Sequence, residues 1–121
     1  MSAQVNTYRD LIAWQKAFTL GISVYRLTKS MPDNERFGLI SQLRRSAVSV
    51  PSNIAEGYGR GSTNDYVRFL KVARGSLYEL ETQLLLANEL EYVPQDAAKQ
   101  ILDELAETER VLAGLIRGVE R

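Results

Sequence analysis

The 121 residues of this chain include no cysteine and no histidine. Without cysteine there is no disulfide framework, no thiol nucleophile and no thiolate metal site. Without histidine the chain lacks the usual general base near neutral pH and the commonest metal ligand. These absences exclude many enzyme classes, and we expect neither catalysis nor a cofactor. Only 3 prolines and 8 glycines are present, which argues against disorder.

Long hydrophobic runs are also missing, since no segment approaches the roughly 18 consecutive apolar residues that a membrane span needs. The segment Met1–Tyr8 has no basic start followed by an apolar stretch, so we expect no signal peptide. Hydrophobic residues make up 45% of the chain and charged residues 25%, as in ordinary globular proteins. We therefore expect a cytoplasmic protein with one domain over residues 1–121.

The net charge is zero, but it results from cancellation between two parts of the chain. Residues 1–75 hold 11 Lys and Arg against 5 Asp and Glu, a net charge of +6, whereas residues 76–121 hold 4 against 10, a net charge of −6. Such a split predicts either oppositely charged surfaces or two solvated helix faces that attract each other inside one bundle.

Apolar residues recur at spacings of three and four in four successive segments, which is typical of amphipathic helices. The first segment spans about 8–29, the second starts near Glu35, the third follows the N-cap Ser62, and the fourth starts at Pro94 or Gln95. The expected inward stripes are Leu11, Trp14, Phe18, Ile22 and Tyr25; Ile40, Leu43, Ala47, Val50, Ile54 and Gly57; Tyr66, Phe69, Ala73, Leu77, Leu80, Leu84 and Ala87; and Ala98, Ile101, Leu105, Thr108, Leu112, Leu115 and Val119.

Four such segments joined by short breaks predict an all-α fold, an up-down-up-down antiparallel four-helix bundle. Pro51 interrupts the second stripe, which resumes at Ile54, so we expect a kink in that helix rather than its end. Several segments carry a second apolar stripe that a monomer would leave exposed, and this favours a homo-oligomer. These additional residues are Ile12, Leu20, Val24 and Leu27; Leu70, Val72, Leu85, Leu86 and Leu90; and Leu102, Val111 and Ile116.

Two sets of polar residues are candidates for a functional role. Asn53, Glu56, Arg74 and Glu81 have core-like spacing on the second and third helices, where they form either a structural polar network or a ligand pocket. The second set is basic and lies on the second and third helices and the turn between them: Arg44, Arg45, Arg60, Arg68, Lys71 and Arg74. Antiparallel packing would gather several of these cations on one side, either as a phosphate-binding surface or as a solvated face with ion pairs. Tyr58 and Tyr66 nearby could stack on unpaired bases.

Three runs of sequence resemble one bacterial protein family. They are Tyr8-Arg9-Asp10-Leu11-Ile12-Ala13-Trp14-Gln15-Lys16-Ala17 in the first segment, Ser49-Val50-Pro51-Ser52-Asn53-Ile54-Ala55-Glu56-Gly57 in the second, and Ala73-Arg74-Gly75-Ser76-Leu77 in the third. The family is that of the four-helix bundle proteins named after the 23S rRNA intervening sequence. The resemblance implies a homopentamer without known enzymatic activity. A more distant similarity, to the accessory variability protein of diversity-generating retroelements, implies nucleic-acid binding through the basic set.

The leading hypothesis is a non-enzymatic homo-oligomer that binds RNA or another nucleic acid through the basic set. The alternative is a protein–protein adaptor that uses the exposed apolar stripe and the acidic fourth helix. A hydrolase or metal enzyme is disfavoured by the lack of histidine and cysteine. Nothing in the sequence indicates a membrane or small-molecule partner.

Overall fold

The computed structural model describes residues 4–121, and four α-helices make up most of this range. They are α1 at Ile12–Thr28, α2 at Leu39–Tyr58, α3 at Thr63–Glu89 and α4 at Gln95–Glu120. No strand occurs among the described residues, so the all-α prediction is confirmed. Residues 1–3, part of the segment expected not to be a signal peptide, lie outside the described range. Within that range, no helix is both long and apolar enough to cross a membrane.

Local features of the sequence mark the boundaries of α3 and α4. The N-cap Ser62 accepts a 3.2 Å hydrogen bond from the backbone N–H of Asp65, as predicted for the start of α3. Gly61 has a φ of +82°, a conformation that L side chains rarely adopt, so α2 and α3 are separated by a glycine-dependent turn. The fourth helix begins at Gln95, directly after Pro94.

Two predicted starts are wrong because a separate 3₁₀ turn precedes each helix. The turn Tyr8–Asp10 is closed by a capping box with Thr7, and Leu11 is extended, so α1 begins at Ile12 rather than near Tyr8. The Asp10 carboxylate accepts hydrogen bonds from the N–H groups of Asn6 and Thr7, which lower the pKa of this carboxyl group. Asp33–Glu35 forms the second 3₁₀ turn, and α2 begins at Leu39 rather than near Glu35.

The α2 stripe is buried along its whole length, as predicted. Of the stripe predicted for the first helix, Leu11 is buried as expected. The rest is wrong, because Phe18, Ile22 and Tyr25 are exposed and Trp14 is only half-buried. The core-facing residues of α1 are instead Ala13, Ala17, Leu20, Val24 and Leu27.

Smaller differences occur on the last two helices. Leu70 is buried whereas Phe69 and Tyr66 are half-buried, and Ile116 is buried whereas Leu115 and Val119 are half-buried. Together the buried residues of all four helices form one apolar cluster.

Each helix packs against two others: α1 contacts α2 and α4, and α3 contacts α2 and α4. Contacts between neighbouring helices run in opposite order. As the residue number rises along one helix, the number of its contact partner falls along the neighbouring helix. The pairs are Gly21 with Ala47 and Thr28 with Arg44; Ser46 with Gln83 and Ser49 with Ser76; Lys71 with Glu120 and Tyr78 with Glu109; and Lys16 with Glu107 and Ser23 with Glu104. Within this arrangement α2 continues through Pro51 without ending.

Candidate nucleic-acid interface

The six predicted cations do not form one surface. Arg44 and Arg45 lie in the first half of α2, whereas Arg60 follows the end of that helix. At a rise of about 1.5 Å per residue, the 15 positions from Arg45 to Arg60 span roughly 22 Å. Because contacts between α2 and α3 run in opposite directions, Arg68 lies near Arg60 and far from Arg44. The structure therefore places part of the set, Arg60 and Arg68, together and Arg44 and Arg45 apart from them.

Arg60 and Arg68 both lie over the same aromatic ring. Their guanidinium carbons lie 4.8 and 4.5 Å from the centre of the Phe69 ring. Each also has a carboxylate partner, with Glu56 3.6 Å from Arg60 and Asp65 3.5 Å from Arg68.

The remaining two members of the predicted basic set lie on the side of α3 that faces α4. Lys71 lies 3.4 Å from Glu120. Arg74 is half-buried, one helical turn before Tyr78, which donates a hydrogen bond to Glu109. At this end of the bundle, carboxylates thus partner Arg60, Arg68 and Lys71.

The other end of α2 borders a groove of about 500 Å³ that we call the cationic groove. Its described lining includes three arginines and no carboxylate. The lining residues are Tyr25, Arg36, Phe37, Ile40, Ser41, Arg44, Arg45 and Val48. Two members of the predicted basic set, Arg44 and Arg45, thus share a surface with Arg36, which the sequence interpretation missed.

Neutral groups hold two of these arginines. The Arg44 Nε donates a 2.9 Å hydrogen bond to Thr28 Oγ1, and its guanidinium carbon lies 4.7 Å from the centre of the Tyr25 ring. The guanidinium carbon of Arg36 lies 5.8 Å from the centre of the Phe37 ring, which is 91% exposed. Hydroxyl and ring partners orient a cation without cancelling its charge, so the groove keeps a positive potential.

The nearest acidic side chain in sequence is engaged elsewhere. Glu35 accepts hydrogen bonds from the backbone N–H of Leu39 at 3.1 Å and from the Tyr92 hydroxyl at 2.9 Å. Adjacent Arg36 and Phe37, a cation beside an aromatic ring, were the sequence signal that could have identified this site.

The predicted stacking tyrosines pack on each other. The rings of Tyr58 and Tyr66 meet edge to face with centroids 6.1 Å apart, and both residues are half-buried. Burial raises the pKa of the Tyr66 hydroxyl, with a smaller contribution from Tyr58. These two rings therefore pack against each other within the chain and do not form an open stacking surface.

A polar network does lie between α2 and α3, but its membership differs from the prediction. The Asn53 amide donates hydrogen bonds to the Ser49 carbonyl and hydroxyl, and the hydroxyls of Ser49 and Ser76 are 2.8 Å apart. One turn away, buried Ser46 donates a 3.0 Å hydrogen bond to Gln83.

Three residues assigned to that network do not belong to it. Glu56 pairs with Arg60 at the surface, and among the described hydrogen bonds and ion pairs none joins Arg74 to Glu81. Small serines rather than charged side chains therefore fill the close α2–α3 contact beside Pro51.

The aromatic stripe of α1, which the sequence analysis wrongly assigned to the core, lines a second groove. We call it the α1/α2 groove. It has a volume of about 620 Å³ and shares Tyr25 and Val48 with the cationic groove. The rings of Trp14 and Phe18 stack along it with centroids 4.9 Å apart. Its lining consists of Tyr8, Trp14, Phe18, Gly21, Ile22, Tyr25, Arg26, Lys29, Ala47, Val48, Pro51, Ser52 and Ala55.

Comparison with known proteins settles the family. A family model described as "23S rRNA-intervening sequence protein" matches residues 9–114. The chain belongs to that family. The resemblance seen in the sequence motifs is thereby confirmed, and the description of the family names no enzymatic activity.

Among solved structures, a crystal structure of another protein is similar to most of this 23S rRNA-intervening sequence protein. It is the crystal structure of a protein with unknown function from the S23 ribosomal protein family of Bacteroides thetaiotaomicron. The TM-score is 0.81 at 23% identity, and the match covers 88% of this chain and 96% of that chain. At this identity the likeness establishes the fold alone. No curated protein matches the sequence.

Proposed function

We propose that this protein is a non-enzymatic, cytoplasmic homo-oligomer that binds RNA or another single-stranded nucleic acid through the cationic groove. The observation that carries the proposal is the lining of that groove: Arg36, Arg44 and Arg45 lie beside Tyr25 and Phe37, with no carboxylate among the lining residues. Of the basic residues predicted on α2 and α3, the proposal thus keeps Arg44 and Arg45 in the first half of α2. It adds Arg36, which lies just before that helix.

Phosphate attraction and base stacking together explain such a composition. Proteins that bind single strands combine a positive groove for the backbone with aromatic rings on which bases stack. The exposed Phe37 ring offers a stacking surface, and its neighbour Arg36 offers a charge for the adjoining phosphate. A zero net charge does not oppose this binding, because the relevant potential is local to the groove.

We also propose that residues 1–121 form one up-down-up-down antiparallel bundle domain with a kink at Pro51. The opposed contact order between neighbouring helices supports this topology. Pro51 removes the N–H that would bond to the Ala47 carbonyl, which supports a local bend.

The apolar α1/α2 groove supports self-association. Phe18, Ile22, Tyr25 and Val48 are exposed along it, and such a surface is unfavourable in a monomer. The family resemblance implies five copies, and we propose a homopentamer.

Fluorescence anisotropy with a labelled single-stranded RNA oligomer tests the nucleic-acid proposal. At 50 mM salt we expect binding by the wild-type protein, and the double variant Arg36→Gln/Arg45→Gln should weaken it at least tenfold. Each lost phosphate contact should reduce the slope of log K against log salt by roughly 0.7 to 1. Arg68→Gln is the matched control, because Arg68 already has Asp65 as a partner, and it should change the affinity less than twofold. No binding by the wild-type protein at 50 mM salt would overturn the proposal.

The protein–protein adaptor is the second candidate, and the exposed apolar α1/α2 groove favours it. Under this alternative, a partner protein remains bound after nuclease treatment and is lost in Ile22→Glu but retained in Arg36→Gln/Arg45→Gln. The wild-type protein would then bind no RNA at 50 mM salt.

A further inference from the structure

A second exposed apolar surface lies on the opposite half of the molecule. Leu85 and Leu86 in the last turns of α3, and Leu90 directly after that helix, are each about half exposed. We call these three residues the leucine ridge. Within one copy the ridge is separate from the α1/α2 groove, because none of the three leucines is among the lining residues of that groove.

The two surfaces carry opposite charges. The cations at the rim of the α1/α2 groove are Arg26 and Lys29, and its described lining has no carboxylate. Between Gly75 and Ala98, by contrast, every Asp, Glu, Lys or Arg is acidic: Glu79, Glu81, Glu89, Glu91 and Asp96. Complementary charge of this kind favours one relative orientation and disfavours contact of either surface with itself.

Their shapes are complementary as well. The groove is a concave channel of about 620 Å³ between two helices. The ridge is the convex surface of one helix, where Leu86 and Leu90 at positions i and i+4 lie one above the other. An amphipathic helix laid in an apolar groove by such anchors is a recurrent mode of protein recognition.

We propose that the α1/α2 groove of one copy receives the leucine ridge of the next copy. This inference rests on the proposed self-association and specifies its interface. Because the two contacting surfaces differ, the contact is heterologous, and repeated copies form a closed ring when the rotation between them closes. Burial of the leucines against Trp14, Phe18 and Ile22 supplies the apolar contact, and Glu89 and the other acidic residues face Arg26 and Lys29 across the rim.

The lack of cysteine provides a direct test, because a single introduced cysteine is the only thiol in the chain. Ile22→Cys places a thiol in the groove and Leu86→Cys places one on the ridge. A short bismaleimide should cross-link a mixture of these two variants into a dimer, and neither variant alone should cross-link. The matched control is Val72→Cys, also exposed on α3 but about 21 Å from Leu86 along the helix. It should not cross-link to Ile22→Cys.

Blocking variants give an independent readout. Ile22→Glu blocks the groove and Leu86→Glu blocks the ridge, so each alone should sediment as a monomer. An equimolar mixture should form a particle of two chains, since one intact groove and one intact ridge remain. Far-UV circular dichroism checks that each variant is folded, and the cysteine pair provides the test if a glutamate variant is not.

The outcomes separate the interface from the self-association on which it rests. A wild-type protein that stays monomeric at 100 µM overturns both. An oligomeric wild-type protein whose two cysteine variants do not cross-link overturns the groove–ridge contact alone. Cross-linking of Ile22→Cys by itself would identify a groove-to-groove dimer and would also overturn the proposal.

Discussion

Gly57 of α2 and Phe69 of α3 approach so closely that a Cβ on Gly57 would lie 2.8 Å from the Phe69 Cβ. The same Cβ would lie 3.1 Å from the Tyr66 carbonyl oxygen, which belongs to the backbone of α3. This approach positions Phe69, the ring that both Arg60 and Arg68 contact. The glycine is therefore required by packing, at a position inside a helix where glycine by itself is unfavourable.

Gly57→Ala should lower the free energy of unfolding. Adding a methyl group to a well-filled contact destabilises a protein by about 1–3 kcal/mol. Replacing a helical glycine by alanine stabilises the helix by up to about 1 kcal/mol. We expect a net loss of about 1–2 kcal/mol, measured by urea unfolding followed by circular dichroism.

Gly75→Ala is the matched control in α3. Apart from its chain neighbours and the backbone of its own helix, nothing lies within 4 Å of the position that its Cβ would take, so only the helix propensity changes. We expect the free energy of unfolding to rise by about 0.5–1 kcal/mol. Equal effects of the two substitutions would contradict the close α2–α3 contact at Gly57.

Ser46→Ala should destabilise the protein through its partner, Gln83. Ser46 donates a 3.0 Å hydrogen bond to the Gln83 amide oxygen, and both residues are buried. Removing the hydroxyl leaves a buried acceptor unpaired, at a cost of about 1–3 kcal/mol. In Ser46→Ala/Gln83→Met no acceptor remains, so the double variant should be closer to wild type than Ser46→Ala is. Exposed Ser52→Ala serves as the control and should change stability by less than about 0.5 kcal/mol. A coupling energy near zero in the double-mutant cycle would contradict the pairing.

Tyr92 and Glu35 should make stability depend on alkaline pH. The Tyr92 hydroxyl donates a hydrogen bond to the Glu35 carboxylate, and this bond, with smaller effects of burial and the carboxylate charge, raises the pKa of Tyr92. Because the folded pKa lies above the unfolded one, the stabilisation is complete below about pH 10 and is lost as the pH rises through the folded value. Tyrosinate absorbance near 295 nm should show one group titrating at lower pH in Glu35→Gln. Tyr92→Phe identifies that group, and an unchanged titration in Glu35→Gln would rule out the carboxylate as the cause.

Pro51→Ala should separate folding stability from self-association. Alanine restores an N–H that can donate to the Ala47 carbonyl and removes an interior helical proline, so we expect the free energy of unfolding to rise by about 1 kcal/mol or more. Pro51 also lines the α1/α2 groove, so replacing its ring by a methyl group should weaken the association of copies. Unfolding is measured in the Ile22→Glu background, where association does not contribute, and association by sedimentation without that substitution. A lower free energy of unfolding of Pro51→Ala in the Ile22→Glu background would contradict this prediction and show that the fold depends on Pro51.

The α1 helix explains why sequence periodicity assigned the wrong face to the core. Its two stripes, Leu11 to Tyr25 and Ala13 to Leu27, both repeat at spacings of three and four, so the pattern alone does not rank them. The prediction assigned the larger, more aromatic stripe to the core. The core instead takes Ala13 and Ala17, because small side chains allow the neighbouring helices to come close. The wide aromatic rings are left to line the α1/α2 groove.

At the candidate site, too, the sequence pattern of single helices did not determine which residues lie together. Arg44 and Arg45 were recognised as candidates from their charge. Their separation from Arg60 and Arg68, and their meeting with Arg36 and Phe37, depend on where α2 begins and how the preceding turn folds back. The spacing of residues along one helix specifies neither the start of α2 nor the path of the turn before it.

Local chemistry in the sequence determined the number of helices, the cap at Ser62, the turn at Gly61 and the buried face of α2, because each of these depends on residues within a few positions of one another. Only the tertiary structure decided which α1 stripe faces the core, which serines pair between α2 and α3, and which arginines share a groove. Those outcomes depend on the rotation and direction of whole helices, and these are set when all four helices compete to fill one interior.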